Sequence, residues 1–159
     1  MLKDKKAFIF FFLMTVIFLD FARQLKKISF NSIIENINNP VFQIVHVNNS
    51  GGAFGIFENS ALILAILGLV AVSYITGYVF KHVCFSDKLV LLSSTLFCAG
   101  TLGNVIERLK YGYVIDYIKL NFVDFPVFNS YDIMICIGII IYFVYIVLSY
   151  KKGEYDSNW

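Results

Sequence analysis

Asn59–Phe80 reads NSALILAILGLVAVSYITGYVF, 22 residues between Glu58 and Lys81 without a charged side chain. A helix crossing the hydrocarbon core of a bilayer needs about 20 mainly apolar residues, and this stretch supplies them. Two more runs qualify. Leu89–Ile106 (LVLLSSTLFCAGTLGNVI) is 18 uncharged residues between Lys88 and Glu107, and Ile133–Tyr150 (IMICIGIIIYFVYIVLSY) is 18 between Asp132 and Lys151. A shorter run, AFIFFFLMTVIFL over Ala7–Leu19, follows Lys3, Lys5 and Lys6. Basic residues before a short apolar core resemble a signal peptide, but the chain continues Asp20-Phe21-Ala22-Arg23 with no small-x-small cleavage site. It reads as an uncleaved first helix reaching about Arg23. The expected spans are therefore about 7–23, 60–80, 89–106 and 132–150, in one membrane domain over 1–159.

Composition agrees. The 159 residues are 58% apolar, 18% aromatic and 15% charged, with a mean hydropathy of +0.73. Soluble domains run at about 45–50% apolar and about 25% charged, so a soluble or disordered chain is excluded. A net charge of +2 is too small to imply a nucleic-acid partner. With the N-terminus inside, the inner segments carry seven Lys or Arg residues against six outside. The inner segments are much shorter, so their density favours both termini in the cytoplasm.

The outer segments, 24–59 and 107–131, are more than connectors. Val41–Val47 (VFQIVHV) is rich in β-branched residues and reads as a strand, and Asn48-Asn49-Ser50-Gly51-Gly52 reads as a turn. Residues 112–122 (GYVIDYIKLNF) again read as extended. The fold class expected is an all-α polytopic membrane protein, with four transmembrane helices and a small β-rich extracytoplasmic cap. The polar tail from Lys151 to Trp159 reads as loosely held.

Most standard chemistries find no residues here. His46 and His82 form no zinc motif, and Cys84, Cys98 and Cys136 lack metal-ligand spacing. No metal or organic cofactor is expected. What remains is carboxylates in places where carboxylates are costly. Asp132 directly precedes an apolar span, where an ionisable group is a functional candidate, although an acid at a helix start also complements the macrodipole. In an extended Val114-Ile115-Asp116-Tyr117-Ile118, Asp116 shares a face with Val114 and Ile118. Asp124, in a short polar turn, reads as solvated. Asp20 and Arg23, three apart on the first helix, read as an interfacial ion pair. If Asp116 and Asp132 meet, they cannot both ionise cheaply and would titrate as a coupled pair. One carboxylate could then take a proton from water while its protonated partner polarises a carbonyl.

Several separated segments resemble lipoprotein signal peptidase, or signal peptidase II, a family of bacterial intramembrane aspartyl proteases. Asn49-Ser50-Gly51-Gly52-Ala53-Phe54-Gly55 is similar to the family's Asn-x-Gly-Ala-Ala-Phe-Gly/Ser. Gly103-Asn104-Val105-Ile106-Glu107-Arg108, followed by Gly112-Tyr113-Val114-Ile115-Asp116, looks like Gly-Asn-x-x-Asp-Arg and then Gly-x-Val-Val-Asp. Phe125-Pro126-Val127-Phe128-Asn129-Ser130-Tyr131-Asp132 is close to Phe-Pro-Val-Phe-Asn-x-Ala-Asp, and the Asp20 region matches the end of the family's first helix. Gln24 stands where the family has Lys, Glu107 where it has Asp, Gly52 where it has Ala, and Tyr131 where it has a small residue. The Tyr131 change is expected to reshape the pocket beside Asp132.

The resemblance implies a catalytic dyad of Asp116 and Asp132, with Asn49, Gly51, Asn104, Arg108 and Asn129 as substrate-binding residues and Asp20 in support. It implies cleavage of a diacylglyceryl-modified prolipoprotein before the lipidated cysteine, in the bacterial cytoplasmic (inner) membrane, with the active site near the outer face. The phospholipid bilayer is then a partner, and globomycin-type cyclic peptides are expected inhibitors. The alternative reading is a small proton-coupled transporter with Asp116 and Asp132 as relay groups.

Overall fold

The computed structural model describes residues 2–29, 38–52 and 57–151, so the expected loose tail beyond Lys151 lies outside the described residues. Four helices carry the chain: α1 (Lys5–Ser29), α2 (Ala61–His82), α3 (Lys88–Tyr111) and α4 (Ser130–Lys151). Each is long and apolar enough to cross a membrane. Strands β1 (Phe42–Asn49) and β2 (Val114–Leu120) form a two-stranded antiparallel sheet joining the segment between α1 and α2 to the segment between α3 and α4. The chain is a four-span helical membrane protein with a small β cap.

The helices differ in what they bury. α3 packs against α1, α2, α4 and β2, and most of it is buried. α1, α2 and α4 turn rows of Phe, Ile, Leu and Val outward; with bilayer around them those rows face acyl chains. α3 is accordingly the one span carrying many small and polar residues, including Ser93, Ser94, Thr95, Thr101 and Asn104, all buried. Small residues let helix backbones approach where lipid gives no hydrophobic drive for association. A Cβ on Gly100 would collide with the Tyr131 carbonyl oxygen and lie 2.8 Å from the Ile135 side chain, and one on Gly103 would enter the Tyr131 ring.

The ends of the elements are set by local chemistry. Asp4 caps α1, accepting from the Lys6 and Ala7 N–H groups, and its second oxygen accepts from Phe85 N–H between α2 and α3. Those bonds, Phe85 first, hold its carboxyl below the usual value. Gly112 adopts the left-handed conformation (φ 81°) after α3, and its N–H closes on the Arg108 carbonyl, so the chain turns into β2 within two residues.

Three sequence expectations shift. α1 runs on to Ser29, past the expected end near Arg23, because Ala22 and Lys26 continue its buried face. Asn48 and Asn49 belong to β1 rather than to a turn. The bend starts at Ser50, where Asn49 Oδ1 accepts from Gly51 N–H at 3.0 Å. Among the described residues no ion pair joins Asp20 to Arg23; both are exposed, and the salt bridge from α1 is made by Lys26 instead.

Gly100→Ala is expected to cost about 1–3 kcal/mol by forcing α4 away from α3, whereas Gly77→Ala, with open space around its Cβ, should leave the melting temperature in detergent unchanged. Equal melting temperatures for the two variants would contradict this packing.

Candidate active site

Asn129 stands at the junction of the cap and α4, with none of its surface exposed. Its Oδ1 accepts from the N–H groups of Tyr131 (2.7 Å) and Asp132 (3.2 Å), which makes it the helix cap. Asp132, three residues on, returns the bond: its Oδ2 accepts from Asn129 N–H at 3.0 Å. This reciprocal arrangement is a capping box. The ordinary helix-start reading of Asp132 therefore holds for one oxygen; the other accepts from Asn104 Nδ2 at 2.8 Å.

The same asparagine reaches the second acid. Asn129 Nδ2 donates to Asp116 Oδ1 at 2.6 Å and lies 3.3 Å from Asn104 Oδ1. Asp116 Oδ2 accepts from Asn49 Nδ2 at 2.9 Å. β2 and the segment before α4 are laced by Tyr117 and Ile118 N–H donating to the Phe128 carbonyl and by Phe128 N–H donating to Ile118. That lacing brings Asn129 under Asp116. Ser130 N–H donates to the Tyr117 hydroxyl and Ser130 Oγ to the Ala22 carbonyl, tying the start of α4 to the cap and to α1.

Asn49, Asn104, Arg108, Asp116 and Asp132 line one cavity of about 490 Å³, whose remaining wall is largely apolar and includes Phe125–Phe128 and, from α4, Ile133, Ile135 and Ile137. Arg108 Nη2 donates to the Gly51 carbonyl at 2.9 Å, and its buried Nε has no partner among the described residues. Gly51 and Asn129 lie behind the lining. Asp20 is exposed on α1, away from the cavity, and Asp124 is exposed on its loop. Tyr131, expected beside the pocket, is not among its lining residues: it is buried against Gly103 of α3.

Burial pushes the Asp116 carboxyl above its ordinary value, against the pull of the Asn49 and Asn129 amides, and the neighbouring Asp132 charge adds to the rise. Among the described residues no cluster of His, Cys, Asp and Glu suits a metal ion.

Residues 10–148 match the family model described as "Signal peptidase (SPase) II". The chain belongs to the signal peptidase II family. Named lipoprotein signal peptidases are similar over most of its length: one from Clostridium acetobutylicum is 37% identical over 82% of this chain and 84% of its own. One from Streptococcus agalactiae is 35% identical over 84% and 82%. Two solved bacterial membrane enzyme structures superpose with TM-scores of 0.77 and 0.72, at 22% and 25% identity, covering 94% and 86% of this chain and 93% and 91% of theirs. The protein is thus an enzyme, a signal peptidase II of the aspartic peptidase class, and a multi-pass bacterial membrane protein. Membership removes the ground for the transporter alternative.

Sequence reading missed Lys26, whose ammonium is buried at the cap side of α1. The signal was present: Ala7, Phe11, Thr15, Ala22 and Lys26 fall on one helical stripe, and Lys26 is its only charge.

Because the folded state binds the Asp116 proton more tightly than the unfolded chain, its stabilising contribution is complete below the ordinary carboxylate pKa. It is lost as pH rises through the raised one. Melting temperature followed from about pH 4 to about pH 8 should therefore fall more steeply for wild type than for Asp116→Asn, whose amide does not titrate. Parallel slopes would contradict a raised Asp116 pKa.

Proposed function

We propose that this protein is an intramembrane aspartyl endopeptidase that removes the signal peptide from diacylglyceryl-modified prolipoproteins, cleaving before the lipidated cysteine, with Asp116 and Asp132 as its catalytic dyad. The observation that carries the reading is the placement of the two acids on one cavity wall, joined by a single buried asparagine. Family membership supplies the reaction class.

The chemistry follows from the coupled pair. The dyad holds one proton between two carboxyls. The deprotonated member takes a proton from a water molecule as that oxygen attacks the scissile carbonyl carbon. The protonated member donates to the carbonyl oxygen, giving a neutral tetrahedral gem-diol. Collapse breaks the C–N bond: the carbonyl re-forms, its proton returns to the dyad, and the amine leaves with the proton taken from water. The new N-terminus is that of the lipidated cysteine.

The surrounding residues divide by position. Asn49, Asn104 and Arg108 reach the cavity and suit the substrate backbone, since each amide offers donors and an acceptor and the guanidinium has donors to spare. Asn129 and Gly51 sit behind them and act by holding Asp116, Asp132 and Arg108 in place. Asp20, exposed on α1, supports the interface rather than the reaction. The apolar wall suits the diacylglyceryl chains and a lipobox side chain, and globomycin-type cyclic peptides would compete for the same volume. Cations concentrated in the short inner segments put both termini in the cytoplasm, so the cap and dyad stand near the outer face. There a signal peptide already in the bilayer meets them without being extracted.

The test is cleavage of a prolipoprotein, with and without its diacylglyceryl group, by the purified protein in detergent. Wild type should cleave only the lipidated form, and Asp116→Asn and Asp132→Asn should each lower turnover by at least about a thousandfold while keeping a folded melting transition. Turnover near wild type in either variant would overturn the dyad.

A further inference from the structure

Glu107 occupies a position that neither caps a helix nor lines the cavity. It is buried at the end of α3, 8% exposed, and both carboxylate oxygens accept from Lys26 Nζ at 2.5 Å. Lys26 is 6% exposed and reaches across from α1. Its ammonium also lies 5.4 Å from the centre of the Tyr131 ring, the residue preceding Asp132. One Glu107 oxygen does further work in the fold: Oε2 accepts from the backbone N–H of Ile115 at 2.9 Å. Ile115 is the residue preceding Asp116.

A buried ion pair is a poor device for stability, because desolvation offsets most of the attraction and an apolar pair of similar volume often serves as well. The pair therefore needs another reason to be here. The backbone bond to Ile115 supplies one. β2 begins only two residues after the Gly112 turn and is held on the other side by a β1 strand whose register slips between Ile44 and Val47. A two-stranded sheet with a bulge fixes its residues loosely. A carboxylate anchored on the rigid end of α3 fixes the peptide next to Asp116 directly. The ammonium in turn selects the Glu107 rotamer that points there.

We infer that Glu107 and Lys26 are positioning residues for the reaction: Glu107 pins the Ile115 peptide so that Asp116 faces Asp132, and Lys26 holds Glu107 in that orientation. The inference rests on the dyad reading given above. Neither residue touches the cavity, so the pair acts through the Asp116 backbone and not on the substrate. The departure of Glu107 from the family's aspartate then has a physical role, since the longer side chain spans from α3 to both Lys26 and Ile115.

Two double variants isolate the acceptor. Lys26→Met with Glu107→Gln removes the ion pair but keeps an oxygen for Ile115 N–H. Lys26→Met with Glu107→Met removes the ion pair and the oxygen together. The second should show kcat lower than the first by about ten- to a hundredfold, the effect of a displacement of about 1 Å at a reacting group, with KM within about twofold. Amide hydrogen exchange at Ile115 should accelerate in the second only. Equal kcat in the two variants, or unchanged exchange at Ile115, would overturn the inference.

Should the second variant fail to melt cooperatively, the charge swap Lys26→Glu with Glu107→Lys decides the matter. It keeps a pair but offers Ile115 no acceptor, so low kcat is expected, and wild-type kcat would overturn the inference. Asp116→Asn run in parallel separates the two levels. If it is inactive while both double variants equal wild type, only the positioning role fails; if it is active, the dyad reading fails first.

Discussion

Asn129 is the residue through which the rest of the site is built. Its side-chain carbonyl starts α4, its backbone N–H holds Asp132, and its amide nitrogen holds Asp116. A membrane interior punishes an unsatisfied polar group severely, and every polar atom of this side chain is matched. The match also sets direction: one residue cannot hold an acid of the cap through its side-chain amide and an acid of a span through its backbone N–H unless the two acids lie close together. The cap, the start of α4 and the cavity are therefore consequences of one another.

α3 supplies the ground on which this stands. It is the buried helix of the bundle, with glycines against α4 and polar side chains spaced so that Asn104, Glu107 and Arg108 share its last turns. Each of the three reaches a different part: Asn104 to Asp132, Glu107 to the peptide before Asp116, Arg108 to the loop after β1. Gly112 then reverses the chain at once, so Asp116 returns to the helix that positions it. The outer helices do the simpler work of presenting apolar faces to lipid.

The membrane architecture was legible because hydrophobic length is a strong, additive signal: three uncharged runs of 18 residues or more leave little choice. The two acids were legible for the opposite reason, since a carboxylate beside a span or on the apolar face of a strand stands out against its neighbours. Pairing of β1 with β2 was foreseen only as a small cap, because register depends on contacts between segments more than sixty residues apart. Asn49 was misplaced into a turn, because asparagine favours turns by the same side-chain bonding that it uses here at a strand end. Lys26 was passed over because three cations crowd the end of α1, and only helical phase separates the buried one from its exposed neighbours Arg23 and Lys27.

The central claim is that Asp116 and Asp132 work as one coupled acid pair. The most direct measurement is the pH dependence of kcat/KM for a lipidated prolipoprotein substrate. A coupled dyad sharing one proton predicts a bell-shaped profile with two apparent pKa values, the upper limb lying above the ordinary carboxylate range. A profile governed by a single ionisation would contradict the account.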